Sequence, residues 1–208
     1  MSVSRLTHKY IREHPSVQDC LERGLINYSA LAREICAANK MDSFDAVLVA
    51  CRRYFQKKRS HVSREQKILA LVKRSKVRVR NKILVASIEK SKGLDKALEI
   101  QNFVKKEKGD FNLIEGEDVF TIITNSDYLP ILKKTFTSGV LKVSSGLAQI
   151  TMVFGETLDM TPGVLSYIYR MFSDNDINIR EEMSCWRDVM VVVEEKDVAK
   201  VMQMLNFD

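Results

Sequence analysis

Residues 160–180 read MTPGVLSYIYRMFSDNDINIR, and three of their features could do chemistry together. Pro162-Gly163 makes a sharp turn, a helical apolar stripe follows from Val164, and Asn178 sits in an alternating stretch just after it. A glycine at a strand-to-helix turn lets a small ligand come close to the backbone. The first N–H groups of the helix beyond it lack intrahelical partners and carry a partial positive charge, which suits a carboxylate. Asn178 offers both donor and acceptor, which suits an ammonium or a polar side chain. Together these are the parts of a receptor for a zwitterion. The same residues also have a purely local reading, because Pro-Gly is a good helix entry and a strand asparagine often ties down backbone.

Catalytic chemistry has no comparable signature. His8, His14 and His61 all lie in the basic N-terminal part and read as surface residues. No phosphate-binding glycine loop, zinc-ligand spacing or nucleophile elbow is present, so neither an enzymatic site nor a cofactor is expected. Asp110, Glu115, Glu117 and Asp118 form an acidic group whose spacing fits no standard calcium loop and reads as a solvated turn. Trp186 beside Arg187 reads as packing at a sheet edge.

The elements that must carry Gly163 and Asn178 follow from periodicity. From residue 76 onward, strand-like and helix-like stretches alternate: KVRVRNKILVASIE, a helix in GLDKALEIQNFVKKEKG, strands FNLIE and VFTIIT, a short helix DYLPILKKTF and a strand VLKVSSG. The pattern then recurs as the strand QITMVFG, the helix TPGVLSYIYRMFSDN, the strands INIRE and VMVVVEE, and a closing helix DVAKVMQML. Gly93 answers Gly163, Asp110 to Leu113 answer Asp176 to Ile179, and Val119 to Ile123 answer Val189 to Val193. Three anchors in one order predict an internal repeat of strand, helix, strand, strand, helix.

Residues 1–60 read instead as amphipathic helices, with Gly24 as a helix stop, Leu31 and Ile35 on one face, and Phe44, Val47, Leu48, Cys51 and Phe55 on another behind a Ser43 cap. Charge separates this part from the rest. Residues 1–80 hold 18 Lys and Arg against 7 Asp and Glu, and residues 52–80 hold 12 against the single acid Glu65. Such a block suits a polyanion or an acidic surface, and it also suits a solvated linker. The stretch from Ile26 to Arg59 resembles a helix-turn-helix in outline, so Arg52, Arg53, Gln56, Lys57, Lys58 and Arg59 are the candidate DNA contacts. The break AANKMDS is longer than the usual tight turn, and cations late on a helix also suit its dipole. The four widely spaced cysteines read as reduced thiols, and no apolar run is long enough to span a membrane, which predicts a soluble cytoplasmic protein.

Thr161-Pro162-Gly163-Val164 at a helix start and Ile177-Asn178-Ile179 in the following strand make residues 149–207 resemble an ACT domain, the amino-acid-sensing module of aspartate kinases. Residues 80–148 resemble a second, more diverged copy, in which Gly93 follows Lys92 and no proline precedes the helix. The whole layout resembles archaeal proteins described as predicted regulators of amino-acid metabolism. This resemblance implies an α+β chain: a helix-turn-helix-like domain in 1–60, a basic connecting helix in 61–79, and two ferredoxin-like βαββα(β) ACT-type domains in 80–148 and 149–208. It also implies an amino-acid effector held by Thr161, Gly163, Val164, Asn178 and Ile179, often across a subunit interface, with Asp159 near enough to attract an ammonium. Edge-to-edge pairing into a homodimer or larger assembly is expected. The expected function is an amino-acid-responsive, DNA-binding transcriptional regulator of amino-acid metabolism, or alternatively a regulatory subunit that does not bind DNA and confers amino-acid feedback on a biosynthetic enzyme.

Overall fold

The computed structural model describes residues 2–56 and 62–206. The chain divides into two compact units, residues 1–67 and 68–208.

The first unit is helical. Helix α1 (Val3–Glu13) starts where the Ser2 side chain accepts from the Arg5 N–H, and α2 (Pro15–Glu22) starts on a proline whose missing N–H costs nothing there. Gly24, at φ +70°, ends α2 as expected: the Leu25 N–H reaches back to Cys20 and the Gly24 N–H to Leu21. Helix α3 (Tyr28–Ala38) is capped by Asn27, which accepts from the N–H groups of Ser29 and Ala30, and α4 (Phe44–Gln56) follows a five-residue break. Their apolar faces meet in a core of Ile11, Leu21, Leu31, Ile35, Val47 and Cys51. Arg52 and Arg53 lie on the exposed side of α4, which Gln56 closes, while Lys57, Lys58, Arg59 and His61 lie outside the described residues. His8 and His14 are half-buried and not simple surface groups, because His8 meets the Tyr54 ring edge-on at 5.2 Å and His14 stacks on Tyr10 at 4.0 Å.

Helix α5 (Val62–Lys73) leads directly into the second unit. Its strands are β1 (Lys76–Glu89), β2 (Phe111–Glu115), β3 (Val119–Asn125), β4 (Val140–Val153), β5 (Glu181–Cys185) and β6 (Asp188–Glu194). Its further helices are α6 (Leu94–Lys106), α7 (Leu129–Thr135), α8 (Val164–Ser173) and α9 (Val198–Leu205). All six strands form one antiparallel sheet in the order β2-β3-β1-β4-β6-β5. The two long strands in the middle are shared. Residues Ile83 to Glu89 of β1 pair with β3, and Val85 to Ile88 pair with the first part of β4. Residues Lys76 to Arg80 pair with Val153 to Gln149, the part of β4 that also pairs with β6. Each repeat therefore becomes a four-stranded ferredoxin-like layer by taking its last strand from the other repeat's central strand. The expected boundary at 148/149 falls inside β4, and the two separate strands expected at VLKVSSG and QITMVFG are one. The ladder slips between Arg80 and Ile83 and again between Ile83 and Val85, and Lys82 (φ +56°) and Gly146 (φ +70°) are the positive-φ residues at this midpoint.

Helices α6 and α7 cover one face of the first layer over Leu84, Ile88, Phe120 and Ile122, and α5, α8 and α9 cover the second over Ile150, Met152, Val189 and Val191. The opposite face is also buried, by Ile83, Val85, Ile123, Leu147 and Val192. Curvature accounts for it. The Asn112 Nδ2 on β2 donates to Gln149 Oε1 on β4 at 3.3 Å, although two strands lie between them and a flat sheet would hold them about 14 Å apart. Arg80 on β1 likewise reaches Asp110, just before β2, at 3.0 Å. The long strands bend at their slipped midpoint, and the faces without helices close on each other.

The repeat is real in architecture but shifted in detail. Gly93 (φ +114°) and Gly163 (φ +97°) both precede their helices, as the alignment expects. The third anchor is off by one, because β3 and β6 match as Val119–Asn125 over Asp188–Glu194, so Ile123 answers Val192 and not Val193. Asn112 stands opposite Ile123 and Glu181 opposite Val192, so Asn178 is not the counterpart of Asn112. The expected strand at 177–181 begins only at Glu181. Ile177 is spent on closing α8: its N–H bonds Phe172, the Asp176 N–H bonds Ser173, and Asp176 takes the left-handed conformation at φ +54°. Ladder-like bonding resumes with Arg180, whose N–H reaches the Val192 carbonyl at 2.7 Å.

Candidate functional site

The loop from β4 to α8 is built from its own short hydrogen bonds. The Thr161 hydroxyl donates to the Thr157 carbonyl at 2.6 Å and the Thr161 N–H to Leu158, so Thr161 holds the turn. Leu158 is buried beneath it and anchors the loop to the core. Gly163, exposed and in the left-handed region, then turns the chain into α8. Among the described residues no side chain caps this helix, so the N–H groups of its first turn stay unpaired by them, while Val164 is buried and fixes the axis. Asp159 is exposed in the same loop. The loop lies beside the β5–β6 turn, since the Phe154 N–H donates to the Arg187 carbonyl at 2.7 Å and Glu156 pairs with Arg187 at 3.7 Å. Trp186 at that turn is 57 % exposed, with the Arg187 guanidinium 4.2 Å above its ring, so it does not pack into the sheet edge as expected.

Asn178 and Ile179 lie at the far end of α8. The helix has ten residues, which puts about 15 Å between its start and its close. Asn178 is exposed and belongs to the connection before β5, not to a strand. It lines a groove of about 540 Å³ together with Ile179, Tyr169, Phe172, Asp176 and Glu182. Tyr169 and Glu182 are the residues that sequence reasoning missed there. Burial first, and then a hydrogen bond to the Glu182 carboxylate, push the Tyr169 phenol up to about 12. No local signal joins a helix tyrosine to a glutamate thirteen positions on. Within one chain the structure thus groups Asp159, Thr161, Gly163 and Val164 at one corner and Asn178 with Ile179 at another.

The first repeat offers less. Gly93 also starts an uncapped helix, but the aliphatic stem of Lys96 lies 3.5 Å from where its Cβ would stand, and Asn112 is committed to Gln149. Among the described residues no three His, Cys, Asp or Glu side chains are grouped to hold a metal ion.

No protein-family profile matches the chain, and no curated protein matches its sequence. Solved structures do match in fold. The aspartate kinase of Clostridium acetobutylicum is 18 % identical at a TM-score of 0.52, over 62 % of this chain and 33 % of that one, so the chain spans about a third of that enzyme's length. The ligand-free regulatory subunit of aspartate kinase from Thermus thermophilus is 11 % identical at a TM-score of 0.50, over 64 % of this chain and 94 % of that one. A structure of aspartokinase alpha and beta subunits is 19 % identical at 0.50, over 62 % and 93 %. At these identities the likeness is one of architecture: the matched part of this chain, 62–64 % of it, shares the α+β fold of the regulatory subunits of aspartate kinase.

Proposed function

We propose that this is an amino-acid-responsive regulatory protein that works as a pair of chains in the cytoplasm and has no catalytic centre of its own. The observation that carries the reading is the placement of the two corners beside the edge strand β5, whose outer side has no partner strand among the described residues. β5 runs from the Asn178 end of α8 to the end where Arg187 meets the β4–α8 loop. Two copies joined by antiparallel β5 edges would set one copy's Gly163 corner beside the other's Asn178. The α8 N–H groups would then hold the effector carboxylate over Gly163, with Thr161 and Val164 shaping the turn. The partner's Asn178 amide would bind the ammonium or side chain, Ile179 would give an apolar wall, and Asp159 would add a nearby negative charge.

The output we favour is control of an enzyme of amino-acid metabolism by protein contact, with the basic unit docking on an acidic surface. Its support is that the similar structures are regulatory subunits or whole aspartate kinases. A second reading, DNA binding in a transcriptional regulator, draws on the cationic block and on Arg52 and Arg53, exposed on α4. Effector binding is tested by a thermal-shift screen of the twenty amino acids, with Asn178→Ala alongside. A positive shift lost in the variant is expected, and a shift equal in both proteins refutes the site. Steeply salt-dependent retention on DNA selects the second output, and co-purification with an enzyme without a DNA shift selects the first.

A further inference from the structure

One side of the exposed Gly163 corner is already bordered by a side chain of the chain itself. A side-chain carbon built on Gly163 would stand 3.2 Å from Cδ1 of Ile68. Ile68, 7 % exposed, and Val72, 2 % exposed, belong to the same buried cluster as Leu158 and Val164, and Leu71 packs against it. All three are on α5, the helix through which residues 1–67 are joined to the second unit. The helix ends where the N–H groups of Arg74 and Ser75 close on Ala70 and Val72, before β1 begins at Lys76.

Resting on the reading of this corner as the effector site, we propose that α5 is a strap whose Ile68 packs into the Gly163 niche, so that strap and effector compete. The step is steric. Glycine serves a ligand here by leaving free the volume of a Cβ, and an atom in that volume would lie inside the about 3.5–4.0 Å at which carbon atoms rest against each other. Gly163 is fixed by its turn, and Leu158 and Val164 belong to the core beneath, so the yielding partner is Ile68. Because Ile68, Leu71 and Val72 share one helix face at spacings of three and four, moving the first disturbs the seat of the others. Effector binding therefore loosens α5, and by linkage a loosened α5 binds effector more tightly.

The experiment uses the full-length protein, each of the twenty amino acids separately, and Ile68→Ala beside wild type. It reads melting temperature, affinity, and amide hydrogen exchange of residues 68–73. The expected result is that an amino acid that raises the melting temperature also speeds exchange in 68–73 about tenfold and binds Ile68→Ala about fivefold or more tightly than wild type. A thermal shift with unchanged exchange in α5 overturns the strap and leaves the effector reading standing, and so does an affinity unchanged by Ile68→Ala. Absence of a thermal shift with any amino acid overturns both. The exchange comparison is made on wild type, so it decides the matter even where Ile68→Ala does not fold.

Discussion

Curling of the sheet makes a prediction that a flat arrangement of two repeats would not. Gln149 is 1 % exposed, and its Oε1 accepts from Asn112 at 3.3 Å while its Nε2 donates to Thr151 at 3.4 Å. Asn112→Ala leaves that buried carbonyl oxygen without its donor, a loss of about 1–3 kcal/mol, with the long bonds pointing to the lower end. Gln149→Met keeps the length and volume and removes the buried amide. The half-buried Asn112 can then turn to water, so this change costs less than about 1.5 kcal/mol. In the Gln149→Met background, Asn112→Ala should cost no more than about 0.5 kcal/mol, as for an ordinary surface change. The resulting coupling of about 0.5–1.5 kcal/mol is of the size found between side chains in contact.

Urea titration followed by tryptophan fluorescence measures all four corners of this cycle. Trp186 is the only tryptophan and lies in residues 68–208, so the signal reports that unit and not the helical one. If Asn112→Ala costs the same in both backgrounds, the two side chains do not meet. The long strands would then not bend as described, and Ile83, Leu147 and Val192 would need another cover.

Tyr169, raised to about 12 against about 10 for an unfolded tyrosine, contributes stability that is fully present below pH 10 and lost as pH rises from 10 to 12. Denaturant titrations across that window should fall less steeply for Tyr169→Phe than for wild type. Ile177→Ala should cost about 2–4 kcal/mol because Ile177 is 4 % exposed beside Phe172, whereas the adjacent Asn178→Ala should stay within about 0.5 kcal/mol; equal costs in urea melts would contradict the placement of these neighbours. Maleimide at neutral pH should label exposed Cys185 first and buried Cys51, whose thiol burial pushes up to about 11, only on unfolding, as mass spectrometry of the labelled peptides would show. Residues 68–208 should fold as a separate fragment and residues 149–208 should not, judged by circular dichroism, because the shorter piece lacks the Lys76 to Arg80 strand and the Ile68 and Val72 part of its core.

The helices and most strands were legible because their apolar residues recur at the right period, and so was the paired glycine start of α6 and α8. What escaped were features set by distant partners. Ser144-Ser145-Gly146 reads as the end of a strand, yet the chain passes through these residues within β4, with Gly146 at φ +70° beside a slip in the ladder. Asn112 and Asn178 look equivalent because Asp110-Phe111-Asn112-Leu113 and Asp176-Ile177-Asn178-Ile179 match in residue type, but the ladder register and the use of Ile177 to close α8 separate them. Ile68, Leu71 and Val72 were visible as an apolar face, and nothing near them in sequence says that the face rests against a glycine in the second repeat. Gly163 and Asn178 were singled out by type, while the 15 Å that α8 puts between them is a property of the helix and not of either residue.

Sharing of the central strands bears on how one effector corner would influence the whole second unit. β1 is separated from α5 by two residues, serves first as the outer strand of the second layer, and past the slip at Lys82 becomes the central strand of the first. The Lys82 N–H at that slip is held by the Glu195 carboxylate at 2.7 Å, from the residue that follows β6. A displacement of α5 would therefore reach a strand that neither layer can release without losing a ladder of its own. Because buried sheets and cores resist gradual deformation, such a shift would be taken up at the slipped midpoint, where pairing is already interrupted. On this argument the first repeat needs no ligand site to take part in the response. Its asparagine can be spent on Gln149, keeping the curled face closed, while the sensing we propose would fall to the second repeat.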